Sequence, residues 1–174
     1  LTVHSRGKVN GPHWVETIHK ICYRNRLKNM WTPSTNRLSH WDTTMIDKLA
    51  WLTFKEGQLL CARSHGKALY YVPGGKREPG ESDEAALVRE IAEELAVSLK
   101  PETLCLACEF SAQADGKPQG VNVNLRCYTG KADGSPTASA EIAELRWLDS
   151  RHLDDISPVS RLLFQWLAEQ GLIR

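Results

Sequence analysis

The sequence predicts a single α/β domain over residues 45–174, preceded by a basic arm over residues 1–44. Short β-like runs alternate with two segments whose apolar residues recur at helical spacing, which is typical of a mixed sheet covered by helices. The full chain of 174 residues suits one domain with a sizeable core. It shows neither an internal repeat nor a low-complexity segment.

The arm differs from the domain in charge. It carries seven basic and two acidic residues, against 15 and 19 in residues 45–174. A short basic helix in NGPHWVETIHKICYRNRLKN, or a contact with nucleic acid or an acidic surface, stays open because basic and aromatic residues interleave there. We favour a non-catalytic extension that packs a few aromatic side chains on the domain, since the periodicity is weak and Met45 opens a run typical of a domain start.

The β-strands are predicted from runs of β-branched, aromatic and aliphatic residues that end at turn signals. Glu56-Gly57 is a hairpin signal between the first two runs, and Pro73-Gly74-Gly75 ends the third. A polar loop, ADGKPQG, separates the two longest runs. The predicted strands cover residues 48–54, 58–63, 69–72, 103–113, 121–129 and 145–148.

Two helices are predicted in the domain. Ser82 is a good N-cap for a helix from Asp83 to about Leu95, whose first turn is acidic as the helix dipole favours. Ser157-Pro158 opens the last helix, in which apolar residues recur at helical spacing.

The cysteines and the hydropathy bear on the cellular compartment. Five cysteines without dense, regular spacing are typical of reduced thiols in a cytosolic protein. Cys105 and Cys108 have CxxC spacing, but no second pair or His completes a metal site, so we expect buried strand thiols. No apolar run approaches the roughly 20 residues of a membrane span, and no signal-peptide core follows residue 1. We therefore expect a cytoplasmic protein without a membrane partner.

Three glutamates crowd one face of the predicted helix. Glu90, Glu93 and Glu94 stand at positions i, i+3 and i+4, where like charges repel unless a cation lies between them. Clustered carboxylates suit Mg²⁺ or Mn²⁺, and a glycine-rich turn before a helix lets the backbone approach phosphates. The pattern predicts a divalent-metal site that holds a diphosphate and activates water.

The segment from Gly75 to Val97 resembles the Nudix box, Gly-x5-Glu-x7-Arg-Glu-U-x-Glu-Glu-x-Gly-U, in which U is a bulky aliphatic residue. Eight of the nine constrained positions match, six of them as identities. The resemblance implies a Nudix-type α/β/α sandwich with a mixed β-sheet and a loop–helix–loop catalytic box. It also implies metal ligation by the Gly75 carbonyl and by the three glutamates, and a pair of Glu81 with Arg89 that holds the loop against the helix.

Ala96 stands where the box has its final glycine. That glycine ends the helix with a positive φ, which costs alanine about 1 kcal/mol. We expect either a slightly longer helix or another path for the following loop.

Residues outside the glutamate cluster complete the predicted site. Many relatives use one more acidic residue from a later loop, for which Glu141 is the first candidate and Glu144 the second. Arg63, Lys76 and Arg77 are candidate substrate-binding residues that could contact phosphates.

The resemblance implies hydrolysis of a nucleoside diphosphate linked to another group. We favour a nucleoside triphosphate pyrophosphohydrolase of the MutT type, which releases a nucleoside monophosphate and pyrophosphate, because the chain is compact and lacks the marks of ADP-ribose, NADH and coenzyme A hydrolases. The proline of ADP-ribose hydrolases is missing at Ala112-Gln113. The expected partner is therefore a small nucleotide rather than nucleic acid, and the oligomeric state stays open.

Three alternatives are kept. One is an ADP-ribose or dinucleotide pyrophosphatase, and another is a non-catalytic nucleotide-binding module of the same fold, which typically has an eroded glutamate cluster. A third is an isopentenyl diphosphate isomerase, for which Cys61 and His65 alone do not make the required pattern.

Overall fold

The computed structural model describes residues 45–174 together with Thr17, Lys20 and Ile21 of the arm. Ile21 is half-buried and packs against the main hydrophobic core. The other predictions made for residues 1–44, including the full extent of a basic helix, lie outside the described residues.

Eight β-strands and two α-helices make up residues 45–174. The strands are β1 (Met45–Leu52), β2 (Phe54–Lys55), β3 (Gln58–Ser64), β4 (Ser98–Leu99), β5 (Cys105–Gln113), β6 (Asn122–Thr129), β7 (Ala132–Asp133) and β8 (Ile142–Leu148). The helices are α1 (Asp83–Leu95) and α2 (Pro158–Glu169), and short 3₁₀ turns occupy Pro101–Thr103 and Ser150–Asp155.

The strands form two three-stranded sheets and one two-stranded ribbon. In the order β1-β6-β5, β1 runs parallel to β6 and β5 runs antiparallel to it, which makes this sheet mixed. The second sheet, in the order β2-β3-β8, is antiparallel, as is the β4-β7 ribbon. The prediction of an α/β fold with a mixed sheet is confirmed.

Strand β1 separates two hydrophobic cores because successive side chains point to opposite faces. Leu49 and Trp51 pack with the apolar face of α1, whereas Ala50 and Leu52 pack with α2. The alternation places the residues before Leu49 on the same two faces. Asp47 therefore lies on the α1 side, and Lys48 on the α2 side.

The predicted strand 48–54 is two strands in different sheets. The chain leaves the first sheet after Leu52, and β2 then pairs with β3 through a turn in which Glu56 and Gly57 both have positive φ (51° and 76°). This conformation suits the two-residue hairpin that Glu56-Gly57 predicted. The change of sheet was missed because apolar residues continue through the break.

Other strand boundaries also differ from the predictions. Residues 69–72 form only the isolated bridges Ala62↔Tyr71 and Tyr70↔Ile156 rather than a strand. Strand β5 begins after the 3₁₀ turn Pro101–Thr103, and β8 begins earlier than predicted, at Ile142. The two strands of the β4-β7 ribbon, each of two residues, were not predicted.

The cysteines of the described residues are free thiols. Cys61 and Cys127 are buried, whereas Cys105 and Cys108 are half-buried in β5. The expectation of strand thiols therefore holds, but the CxxC pair is less buried than expected. Cys108 lies opposite Cys127 on β6, so its partner across the strand pair is Cys127 rather than Cys105.

Helix α1 ends at the position where the box has its glycine. The Ser82 hydroxyl accepts a hydrogen bond from Ala85 N (3.2 Å) at the start, and Ala96 takes the left-handed conformation (φ 53°, ψ 33°) at the end. Both expectations for Ala96 were wrong, because alanine itself adopts the conformation of the missing glycine. The helix is neither longer nor followed by a different turn.

Replacing Ala96 with Gly should raise the free energy of unfolding by about 0.5–1 kcal/mol, because glycine adopts this conformation without the Cβ clash. Ala96 is exposed, so no packing is lost. Ala92→Gly, at an exposed position inside the same helix, is the matched control and should lower the free energy by up to about 1 kcal/mol. Urea denaturation measures both. A loss of stability in Ala96→Gly would contradict the account.

Candidate active site

The three glutamates of α1 lie in different surroundings. The Glu94 residue is 8% exposed, and its Oε2 accepts a hydrogen bond from Gly74 N at 2.9 Å. The Glu90 side chain is 19% exposed, whereas that of Glu93 is 56% exposed. Glu90 and Glu94 line the cavity before the helix, whereas the exposed Glu93 is not among its lining residues.

Gly74 and Gly75 bring the loop into contact with both β1 and α1. A Cβ on Gly75 would lie 2.1 Å from Cδ of Glu90, and one on Gly74 would lie 2.2 Å from the Leu49 carbonyl oxygen. The Gly75 carbonyl accepts a hydrogen bond from Leu49 N (2.8 Å), so β1 fixes the loop. Glycine is required at both positions because a side chain would displace the Glu90 carboxylate or the loop.

Arg89 joins the loop to the helix. Its Nε and Nη2 donate to the two Glu81 oxygens at 2.9 and 2.8 Å, and Nη2 also donates to the Lys76 carbonyl at 3.1 Å. The Arg89 pair, with a further hydrogen bond from Glu78 N, lowers the pKa of Glu81 to about 2. Arg89 Nη1 lies 3.1 Å from Glu90 Oε1, so the same guanidinium also orients the glutamate beside Gly75.

A cavity of about 440 Å³ opens in front of Glu90 and Glu94. Its walls come from β1, β3, β6, the loop at residues 73–76, the loop at residues 113–117 and the first turn of α2. Its volume falls in the range of small-molecule sites. Its charged lining residues are four acids and four lysines: Glu90, Glu94, Asp115, Glu141, Lys48, Lys67, Lys76 and Lys117.

The charge of the buried Glu94 carboxylate is not fully offset by its neighbours. Burial, together with the charges of Glu90 and Glu141, raises the pKa of Glu94 to about 7, although the Gly74 hydrogen bond and Lys48 oppose the rise. Burial also lowers the pKa of Lys48. A cation among the carboxylates would relieve their mutual repulsion.

The donor atoms suit a hard divalent cation in kind. Glu90, Glu94 and Glu141 offer carboxylate oxygens, and Gly75 offers a carbonyl, which are the ligands that Mg²⁺ and Mn²⁺ prefer. Within the described part of the chain, no three His, Cys, Asp or Glu side chains already stand close enough together to hold an ion. The residues therefore fit such a cation, but their side chains must move together to bind it.

Two of the predicted substrate-binding residues, Arg63 and Arg77, lie outside the cavity. Arg63 Nη2 bonds to Glu144 Oε2 at 2.7 Å, and Arg77 bonds to Asp83 and Asp47 at 2.9 and 3.3 Å. Neither arginine lines the cavity, so their assignment as substrate-binding residues is not supported. Both arginines instead pair with carboxylates of neighbouring strands or of α1, which the sequence spacing does not reveal.

The two candidate later acids, Glu141 and Glu144, lie in different places. Glu141 lines the cavity, and its carbonyl accepts a hydrogen bond from His65 N at 2.9 Å. Glu144 lies outside the cavity and is paired with Arg63. Of the predicted lysine and arginine contacts, Lys76 alone lines the cavity.

Sequence reasoning missed several polar residues of the cavity. Lys48 lies on β1, and Tyr71 lies in the segment between β3 and α1. Asp115 and Lys117 belong to the loop after β5. The Tyr71 hydroxyl donates to Asp115 Oδ2 across the cavity mouth. A usable signal was the charged Lys48 at an otherwise core-facing position of a strand.

Comparison with known proteins identifies the family. A family model described as NUDIX domain matches residues 46–167. The chain belongs to the Nudix family. The predictions of the family, of its fold and of a Nudix hydrolase are thus confirmed. A search of curated proteins finds no match.

Solved structures share the Nudix fold. The MutT protein of Methanosarcina mazei Go1 aligns with a TM-score of 0.60 and 19% identity, over 75% of this chain and 98% of that chain. The E. coli ORF135 protein aligns with a TM-score of 0.57 and 24% identity, over 74% and 92% of the two chains. A UDP-X diphosphatase aligns with a TM-score of 0.53 and 16% identity, over 85% and 71%. At these identities the likeness establishes the fold alone.

Within the described residues of this Nudix hydrolase, no helix is both long and apolar enough to span a membrane.

Proposed function

We propose that this Nudix hydrolase is a Mg²⁺- or Mn²⁺-dependent pyrophosphohydrolase that converts a nucleoside triphosphate to a nucleoside monophosphate and pyrophosphate. The observation that carries the proposal is the cavity that joins the carboxylates Glu90, Glu94 and Glu141 to four lysines. Such a lining suits a polyanion brought together with a divalent cation. We assign the activity to residues 45–174, because every described residue that lines the cavity belongs to this segment.

The proposed cation site consists of Glu90, Glu94, Glu141 and the Gly75 carbonyl, which belong to residues of the cavity, and of the exposed Glu93 on the same helix. A bound Mg²⁺ or Mn²⁺ would neutralise phosphate charge and make water a stronger acid. Glu90 is the proposed proton acceptor for the attacking water, because Gly75 and Arg89 fix its carboxylate at the start of the cavity. The new P–O bond then forms as the bond to the pyrophosphate leaving group breaks.

Arg89 and Glu81 are proposed as positioning residues. Their bidentate pair ties the loop to α1, and Arg89 also reaches the Lys76 carbonyl. Lys76 lines the cavity, so the pair fixes the backbone from which this lysine approaches phosphate. The two residues act through the loop rather than on the substrate.

The family includes enzymes that act on different nucleotides. Among the structural neighbours, one is a MutT protein and another is a UDP-X diphosphatase, so likeness of fold leaves the group attached to the diphosphate open. The alternative is an ADP-ribose or dinucleotide pyrophosphatase. The intact Glu90, Glu93 and Glu94 disfavour the non-catalytic binding module.

A substrate panel tests the proposal. It should contain dNTPs, 8-oxo-dGTP, ADP-ribose, NADH, dinucleoside polyphosphates and 5′-triphosphate RNA, each assayed in ¹⁸O water with Mg²⁺ and then with excess EDTA. We expect a nucleoside triphosphate to give monophosphate and pyrophosphate, with EDTA abolishing the reaction. Activity on ADP-ribose alone would overturn the substrate assignment. Undiminished turnover in EDTA would overturn the metal-dependent reaction, and no turnover at all would favour the binding module.

A further inference from the structure

Lys48 is a charged residue on a strand face that is otherwise apolar. It shares this face of β1 with Ile46 and Ala50, and it pairs in register with Leu125 of β6. Leu125 is 5% exposed and lines the same cavity as Lys48. An ammonium group that leaves water at such a position needs an anionic partner to offset its desolvation.

The described residues do not supply that partner at contact distance. None of the ion pairs within 4.0 Å in the described part of the chain includes Lys48. Its Nζ lies 5.6 Å from the centroid of the Tyr71 ring, within range of a cation–π contact. Tyr71 is in turn held by its hydrogen bond to Asp115, another residue that lines the cavity, so the ring beside Lys48 is fixed.

Lys48 also lines the cavity in which the proposed reaction takes place. Glu94, Glu90 and Glu141 are the carboxylates whose charges act on it, and Lys76 is the neighbouring cation. All five residues line one cavity. A phosphate bound near these carboxylates would therefore lie in the same cavity as the Lys48 ammonium group.

We propose that Lys48 binds a phosphate oxygen of the nucleotide substrate and so acts as a catalytic residue of this hydrolase. The inference rests on the proposed function for the identity of the ligand. Lys48 supplies a cation on β1 beside the glycine-rich loop that carries Lys76, because the adjacent Leu49 N donates to the Gly75 carbonyl. The phosphate chain is thereby bound by two protein cations, Lys48 and Lys76, in the cavity that the carboxylates also line.

The competing explanation gives Lys48 a purely structural role, in which it offsets the charge of Glu94. The two explanations differ in what Lys48→Met changes. A structural lysine acts through the carboxylates, so its loss should shift the Mg²⁺ dependence and be repaired by excess Mg²⁺. A phosphate ligand should leave a defect in nucleotide binding that saturating Mg²⁺ does not repair.

Calorimetric titration of the full chain with an α,β-methylene nucleoside triphosphate, at saturating Mg²⁺, makes the measurement without turnover. Lys48→Met should bind the analogue about 10- to 100-fold more weakly, as expected for the loss of one hydrogen bond to a charged group. Lys48→Arg should recover part of the affinity. Lys55→Met, at an exposed position of β2 outside the cavity, is the matched control and should bind as the wild type does.

Thermal melting checks that each variant is folded, and Lys48→Gln is the second neutral variant should Lys48→Met fail to fold. Affinity of the neutral variant within twofold of the wild type would overturn the proposal, as would full repair by excess Mg²⁺. If the wild type binds the analogue but hydrolyses no triphosphate, the proposed function fails while the loss of affinity in the neutral variant still supports Lys48 as a phosphate ligand. If the wild type does not bind the analogue, the Lys48 proposal fails, whereas the proposed function is decided by turnover of the substrate panel.

Discussion

Replacing Glu90 with Gln should lower turnover by about three orders of magnitude while the fold survives. The amide keeps the shape of the side chain but removes its negative charge and most of its basicity. Glu90 packs directly on Gly75, and its Oε1 lies 3.1 Å from Arg89 Nη1, so its position is fixed in the wild type. Losing both a proton acceptor and a proposed metal ligand accounts for the size of the effect.

Glu141→Gln and Glu144→Gln are the matched variants for this experiment. Glu141 lines the cavity and should show a smaller loss than Glu90, whereas Glu144 is paired with Arg63 outside the cavity and should retain turnover close to wild type. Circular dichroism is the folding control for all three. A loss below tenfold in Glu90→Gln would assign the base to the later loop and leave Glu90 as a secondary ligand.

The parts of the site that the sequence predicts are those held by local spacing. Glu90 and Glu94 share a helix face because they are four residues apart, and Gly75 lies next to Glu90 because the loop leads directly into α1. The bidentate Arg89–Glu81 pair likewise joins residues eight positions apart. These contacts depend on one loop and one helix, so a motif of 23 residues is sufficient to predict them.

The parts that the sequence does not predict depend on how distant strands pair. Lys48 reaches the cavity because β1 pairs in parallel with β6, a strand that begins more than 70 residues later. Arg63 leaves the cavity because β3 pairs with β8, which brings Glu144 within 2.7 Å of it. Neither pairing has a local signal in the sequence, so the apolar runs predicted strands without predicting their neighbours.

Replacing Glu94 with Gln should weaken metal binding about 100-fold and reduce turnover by at least as much. The side chain is buried in the cavity wall, and an amide oxygen offers a divalent cation no net charge. Gln can still accept the hydrogen bond that Gly74 N donates to Glu94, so the loop should keep its position. Titration with Mn²⁺ measures the affinity, and metal affinity within threefold of the wild type would remove Glu94 from the ligand set.

The same substitution should stabilise the metal-free protein at alkaline pH, opposite to its effect on activity. Burial raises the pKa of Glu94 from 4.5 to about 7, so between these values the folded state binds more protons than the unfolded state. Stability of the wild type relative to Glu94→Gln must therefore fall as pH rises from about 4.5 to about 7 and then level off. The full difference is on the order of 3 kcal/mol, at 1.36 kcal/mol per pKa unit.

Urea denaturation in EDTA at pH 4.5 and pH 8 measures this difference. The stability gap in favour of Glu94→Gln should be larger at pH 8, and adding Mg²⁺ at pH 8 should stabilise the wild type more than the variant, because the ion binds the folded state. Glu93→Gln is the matched control for the metal-free measurement. Its carboxylate is 56% exposed, so burial costs it little and the control should show no comparable gap. A gap that stays constant with pH would mean that Glu94 is ionised without strain in the metal-free fold, and the carboxylate cluster would then need no cation to offset its charge.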